Sequence, residues 1–327
     1  MDTILLILLN LVTGSASLVF GVNLMSASLE KMSMHKIRKI LARFTSNVVV
    51  SLIAGTVITI LTQSSTAVTL ITVSMINSGM LSLAQAVGVI YGANIGTTIT
   101  AQFMSLNLPD FALLIILAGI ITRFFGNFTK RRSVKYGGNA IIGLGVMLMG
   151  INILGWSIPY MEKSGFIKHL FAKFGKNPYL GLITGTIATA LIHSSSATVG
   201  LTIVLFNGGL INFNAALGLI LGDNIGTCFT TQISTIGASI PARRAAWAHT
   251  LYNIIGSLIA LVFLNQFSHC VKIFTIMLGQ DKSRLIANAH TVFNLLSAVI
   301  FLPFTRYYVK FIEWLVPYRH LVTRGRG

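Results

Sequence analysis

Charge is scarce in this chain. Only 9% of its 327 residues are Asp, Glu, Lys or Arg, where a soluble domain has about a quarter, and 54% are hydrophobic. A water-soluble globule is excluded on that ground. Cysteine is rarer still: Cys228 and Cys270, both embedded in apolar sequence, are too few for a disulfide framework or a metal site. No Gly-x-x-x-x-Gly-Lys-Ser/Thr loop occurs, which removes a nucleotide-driven pump. The short alternating segments of a β-barrel are missing too. The opening "MDTILLILLNLV" lacks the basic stretch of a cleaved signal peptide and reads as a first membrane helix.

What is present is apolar length. Runs at 111–121, 140–154 and 254–264 approach, with their flanks, the roughly 20 residues that span a bilayer. The expected fold class is therefore an all-α polytopic membrane protein. A net charge of +17 suggests nucleic acid at first sight, but the basic residues cluster between apolar runs. Lys31, Lys36, Arg38, Lys39 and Arg43 form one group; Arg123, Lys130, Arg131, Arg132 and Lys135 another; the tail from Arg306 to Arg326 a third. Such placement matches the positive-inside bias, with anionic headgroups of the lipid bilayer as partners and no nucleic acid.

Two polar stretches interrupt the apolar background, "TQSSTAVTL" at 62–70 and "IHSSSATVGL" at 192–201. A shift of 130 residues lays Gln63 on His193, and the surroundings align without a gap. Gly55, Thr56, Thr59, Ser64, Ser65, Gly79, Gly88, Gly92, Asn94, Gly96, Thr97, Thr100 and Gln102 all fall on identical residues. A second motif repeats with them, "GANIGTT" at 92–98 and "GDNIGTC" at 222–228. The distance from Gln63 to Asn94 equals that from His193 to Asn224. Upstream, "GVNLMS" (21–26) resembles "GINILG" (150–155) with the register slipped by one residue.

Each copy reads as an apolar helix (46–62, 179–192), a Ser-rich break, a short apolar piece ending in "NSGMLS" or "NGGLIN", and a further apolar piece carrying the Asn-Ile-Gly-Thr motif. The pieces between break and turn are too short to cross a bilayer, so broken or re-entrant helices are expected. Paired interruptions in two halves point to a transporter with two inverted-topology repeats meeting at the bilayer midplane. The expected division is 1–135 for the first repeat, 136–265 for the second, and 266–327 for C-terminal helices and a basic tail, in one integral membrane domain. A smaller echo, "AHTLYN" (248–253) and "AHTVFN" (289–294), places His and Asn four apart on one helix face, which reads as hydrogen bonding within a helix bundle.

The two Gln/His-Ser-Ser-Ser/Thr clusters, each followed by Gly-x-Asn-Ile-Gly-Thr, resemble the type II sodium/phosphate cotransporter family over about residues 14–305. The resemblance implies sodium-coupled transport of inorganic phosphate through two inverted repeats in the cell (inner) membrane. It also implies that phosphate is held by Gln63, Ser64, Ser65 and Thr66 together with His193, Ser194, Ser195 and Ser196. His193 departs from the family's usual Gln and Thr66 from its usual Ser. A soluble regulatory domain, which many bacterial relatives carry after the membrane core, is not expected within these 327 residues.

The chemistry of the residues is compatible with that reading. Phosphate needs convergent donors, which hydroxyls and helix N-termini provide without a full countercharge. Sodium needs hard oxygens, and Asn94, Thr97, Asp223, Asn224 and Thr227 are the candidates for ion binding. Asp223 is the one acid within either motif, with Ala93 in the equivalent place; it reads as an ion site or as a partner of Arg243 or Arg244. Asn94 and Asn224 read equally as ion ligands or as residues that cap helices or hold the broken segments, and Gly55/Gly185 and Gly88/Gly218 as close-packing positions. Ser residues in membrane helices also bond back to a carbonyl and bend the helix. The resemblance implies sodium as the coupling ion and no enzymatic cofactor, and a homo-oligomer is compatible with the sequence. Alternatives are a carrier of the same fold for another oxyanion, a phosphate exporter, a channel, or an intramembrane Ser hydrolase using Ser194 beside His193.

Overall fold

The computed structural model describes residues 3–43, 45–106 and 108–318. Among them no strand occurs, and helices follow one another with short turns. The fold class is all-α, and the protein is an integral membrane protein. Among the described residues four segments are long and apolar enough to cross a bilayer: Thr3–Ser33, Arg132–Lys163, Ile240–Val262 and Lys282–Leu315. Large apolar side chains such as Leu113, Phe124, Phe128, Leu191 and Val299 are exposed around them, as lipid-facing residues are.

The first helix, α1 (Thr3–Arg43), is 41 residues long. At 1.5 Å per residue it reaches about 60 Å, twice the hydrocarbon thickness. The Lys31–Arg43 group therefore lies on the continuing end of a helix and not in a separate loop. There follow α2 (Val48–Thr62), α3 (Ser65–Asn77), α4 (Leu83–Met104) and α5 (Ala112–Phe128). Next come α6 (Arg132–Gly155), α7 (Ile158–Lys163), α8 (Gly165–Phe174), α9 (Pro178–Ile192), α10 (Ser195–Asn207) and α11 (Phe213–Ser234). The chain closes with α12 (Ile240–Val262), α13 (Leu264–Met277), α14 (Leu285–Phe301) and α15 (Thr305–Leu315). Arg319, Arg324 and Arg326 of the basic tail lie outside the described residues.

The bounds of α2, α3 and α4 coincide with those of α9, α10 and α11 after the 130-residue shift that lays Gln63 on His193. So do the turns, where Gly79 (φ +71°) and Gly209 (φ +72°) take the left-handed conformation that glycine permits. Within each copy the long helix lies against the first one through glycines. A Cβ on Gly92 would stand 2.0 Å from the carbonyl oxygen of Leu52, and one on Gly222 2.0 Å from that of Leu182. Gly88 and Gly218 meet Val48 and Pro178 in the same way. Small residues one turn apart let two backbones touch, and that dispersion contact replaces the hydrophobic drive that lipid abolishes.

Between the copies, α1 and α6 form the longest seam. Gly14 faces Leu154, Leu18 faces Gly150, Gly21 faces Met147 and Met25 faces Gly143, so the two helices run antiparallel. The register slip of 129 residues (Gly21 onto Gly150) maps Gly14 onto Gly143 and Met25 onto Leu154. The seam is thus self-complementary: each contact has a partner with the roles exchanged. The short helices bridge the halves as well, α3 packing on α4 and α11, α10 on α11 and α4. Symmetry ends after Gly155, where α6 stops and two short helices, α7 and α8, take the place of the unbroken second half of α1.

Candidate functional site

Both Ser-rich stretches are helix breaks, and the two breaks are built alike. Helix α2 ends at Gln63 (φ 54°, ψ 29°) and α9 at His193 (φ 55°, ψ 29°), single left-handed residues whose N–H groups bond to Thr59 O and Thr189 O. The next residue restarts the helix: Ser64 Oγ accepts from Ala67 N at 3.2 Å, and Ser194 Oγ from Ala197 N at 3.4 Å. Ser64 and Ser194 are thus N-caps, not residues that bend a helix by bonding backwards. Ser65, Thr66, Ser195 and Ser196 fill the first turns of α3 and α10. Their hydroxyls have no hydrogen bond among the described residues, and their backbone N–H groups are among those a helix leaves unpaired. All six are half-buried, Gln63 is buried and His193 exposed.

Each left-handed residue is tied sideways to the long helix of its own copy. Thr100 Oγ1 donates to Gln63 Oε1 at 2.7 Å, and Thr230 Oγ1 lies 3.1 Å from His193 Nδ1. The Gln63 carbonyl also accepts from Ser26 Oγ at 2.7 Å, whereas the counterpart of Ser26 is Gly155. No hydrogen bond joins the two Ser clusters directly among the described residues. An apolar cavity of about 270 Å³ lined by Ile259, Phe263, Phe267 and Phe293 involves neither cluster.

The Asn-Ile-Gly-Thr motifs lie inside the continuous helices α4 and α11. Asn94 and Asn224 therefore cap no helix end; their amides donate to Ile90 O and Ile220 O one turn back, at 2.9 and 2.8 Å. Unwound carbonyls are not available from these motifs, because Gly92, Gly96, Gly222 and Gly226 serve close packing rather than a break. Thr227 Oγ1 bonds back to Asp223 O at 2.9 Å, and Thr97 is half-buried on the matching face of α4.

Asp223 is fully buried in the middle of α11. Thr189 Oγ1 stands 2.8 Å from its Oδ1 and 2.7 Å from Thr198 Oγ1, while Oδ2 has no partner among the described residues. An ion pair with Arg243 or Arg244 is not formed. Both arginines sit at the start of α12, where Arg243 is exposed and Arg244 meets Glu313 at 3.6 Å and Val316 O at 3.0 Å. In the first copy the frame survives without the charge: Ala93 replaces Asp223, Val68 replaces Thr198, and the buried Thr59 hydroxyl has no partner.

Thr100, Thr230, Thr189, Thr198 and Ser26 were not singled out by motif reading. Thr59 and Thr100 were nevertheless among the residues identical between copies, which was the available signal. The His-Asn echo is confined to the bundle in its first copy, where His249 Nδ1 lies 3.4 Å from Thr231 Oγ1 and Asn253 Nδ2 donates to Cys228 Sγ at 3.1 Å. In the second copy Asn294 bonds only back to His290 O, at 2.9 Å.

A bilayer-spanning helical bundle with two matching helix breaks, each exposing unpaired donors, is the construction of a transporter. The model of the family described as Na+/Pi-cotransporter matches residues 18–155 and 162–280. The chain belongs to that family, and it is a transport protein, not an enzyme. It is 28% identical over 313 residues to "Uncharacterized protein YqeW" of Bacillus subtilis, covering 95% of this chain and 99% of that protein. It is 29% identical over 261 residues to "Putative inorganic phosphate export protein YjbB" of Escherichia coli strain K12, covering 80% of this chain and 48% of that one. Human "Sodium-dependent phosphate transport protein 2B" is 33% identical over 104 residues, 30% of this chain and 15% of that protein. The chain thus spans about half the length of YjbB. No solved structure matches the chain.

Proposed function

We propose that this protein moves inorganic phosphate across the cell (inner) membrane, coupled to sodium, by alternating access. The observation that carries the reading is the pair of breaks at Gln63–Ser64 and His193–Ser194, with matching dihedral angles and caps. Two helix N-termini with free hydroxyls suit an oxyanion bound by many weak donors and released again. Phosphate accepts from Ser64, Ser65 and Thr66 on one side and Ser194, Ser195 and Ser196 on the other, bridging clusters that share no direct bond. Gln63 and His193, which hold the two breaks in shape, complete the phosphate site.

The repeats, 1–135 and 136–265, act as two inverted halves, with 266–327 supplying C-terminal helices and a basic tail; the antiparallel, self-complementary seam of α1 and α6 supports this. Asn94, Thr97, Asp223, Asn224 and Thr227 are the sodium-side residues. Export of phosphate is the second reading, favoured by YjbB's printed name.

The test is radiolabelled phosphate flux in proteoliposomes of the full chain under a sodium gradient or an equal potassium gradient. Sodium-driven accumulation that Ser65→Ala and Ser195→Ala abolish supports the reading. Equal flux with either cation from folded protein removes sodium coupling, and flux of another oxyanion in preference to phosphate removes the substrate.

A further inference from the structure

The second repeat holds a polar cluster that the first lacks, on the far side of its helix break. It joins three elements: Thr189 in the last turn of α9, Thr198 in the first turns of α10, and Asp223 in α11. Thr198 Oγ1 donates to Thr189 Oγ1, which in turn donates to Asp223 Oδ1, at 2.7 and 2.8 Å. This order uses each hydroxyl hydrogen once. Asp223 Oδ2 is left over, fully buried and without a partner, where an uncompensated carboxylate is costly. Among the described residues no basic side chain answers it, since Arg244 is engaged at Glu313 and Arg243 is exposed.

We propose that Asp223, with the hydroxyls of Thr189 and Thr198, is a sodium site belonging to the second repeat alone. The inference deepens the cotransport reading and rests on it for its consequence in transport. The carboxylate and the two hydroxyls form one hydrogen-bonded chain of hard oxygens, a donor set that suits a small monovalent cation. Neutralising Asp223 removes a negative charge from the hydrogen-bonded chain that reaches Thr198, near the start of α10, the helix whose N-terminus binds the anion under that reading. Sodium bound there therefore favours phosphate, and phosphate favours sodium, by the same factor. The same ion clamps the two ends of the break, because Thr189 O already holds His193 N at 2.9 Å. Asn224 and Thr227 contribute less than their motif suggests, their side chains being bonded back into α11. The equivalent Thr59, Val68 and Ala93 have the packing without the carboxylate, so the first repeat has no such site.

The experiment is equilibrium binding of radiolabelled sodium to the full chain in nanodiscs without phosphate, paired with the sodium dependence of phosphate flux. The native chain binds sodium, and Asp223→Asn weakens it roughly tenfold or more, the size of one charge-assisted contact. Thr189→Val and Thr198→Val weaken it by smaller factors, and Thr59→Val, on the uncharged frame, leaves it unchanged. Folded Asp223→Asn with native sodium affinity overturns the proposal. If that variant does not elute as a single folded species, Thr189→Val and Thr198→Val decide, and native affinity in both overturns it. Sodium-driven flux unaltered by Asp223→Asn sinks the site and leaves cotransport standing. Asp223-dependent sodium binding in a protein with sodium-independent flux sinks cotransport and leaves the site standing.

Discussion

Thr100 and Gln63 lie 37 residues apart, and the Thr100 hydroxyl, donated at 2.7 Å, holds the Gln63 side chain against α4. Gln63 is the left-handed residue at which α2 stops, so this bond fixes where the following helix can start. Thr100→Val, which keeps the shape and removes the donor, should destabilise the chain by about 1 kcal/mol and lower phosphate flux. Thermal denaturation in detergent alongside flux reads both. A variant with native flux and native melting would show that the tie is incidental.

At the other break the corresponding atom is an imidazole nitrogen 3.1 Å from Thr230 Oγ1. His193→Gln rebuilds the first break's chemistry in the second, and Gln63 demonstrates that Gln accepts the same left-handed dihedrals. It should retain flux within a few-fold. His193→Val puts a β-branched residue at φ 55° and should cost about 1–2 kcal/mol in melting as well as flux. Equal melting of the two variants would contradict the dihedral argument.

The serines divide by role. Ser64 and Ser194 cap helices, so Ser64→Ala or Ser194→Ala should lose about 1 kcal/mol of stability together with flux. Ser65 and Ser195 cap nothing, so Ser65→Ala and Ser195→Ala should melt like the native chain and still lose flux. The contrast is read by running one melting series beside one flux series. Loss of stability in all four would return the cluster to a purely structural part.

Two glycines should fail for different reasons. Gly92→Ala places a methyl 2.0 Å from Leu52 O and must push α2 from α4, at about 1–3 kcal/mol. Gly79→Ala meets nothing within 4 Å but is held at φ +71°, at about 1 kcal/mol. Gly79→Asn, which tolerates that conformation, should recover most of the loss, whereas no side chain recovers Gly92.

Outside the membrane, the Asp281 carboxyl is held below the usual carboxylate range by hydrogen bonds from the Ser283 hydroxyl and backbone N–H, with Arg284 adding to them. A depressed carboxylate contributes fully above its unfolded value, near 4, and loses that contribution as pH falls through the folded value. Amide exchange at Ser283 should therefore be protected at pH 7, less so at pH 3, and show no such pH step in Asp281→Ala.

Much of the site was legible in the sequence because duplication acts as an internal control. One polar interruption has many explanations, and two at the same spacing, each before the same turn and the same Asn-Ile-Gly-Thr motif, have few. The α2 and α9 ends and the short lengths of α3 and α10 follow from apolar length and turn chemistry, which are local. The cap reading of Asn94 and Asn224 fails because both lie inside continuous helices. Gly92, Gly96, Gly222 and Gly226 lie one turn apart on a helix face, and contact with α2 and α9 shows that their smallness serves packing.

The sequence by itself determined the membrane class, the duplication, the two breaks and the lone acid at position 223, all of which depend on residue type and spacing. Tertiary structure decided what these residues touch. Asp223 faces Thr189 and Thr198 rather than an arginine, Gln63 and His193 are each held by a threonine one helix away, and α1 meets α6 in a self-complementary seam. Those are relations between distant positions. In lipid, where hydrophobicity does not tell one helix face from another, shape and hydrogen-bond geometry select them.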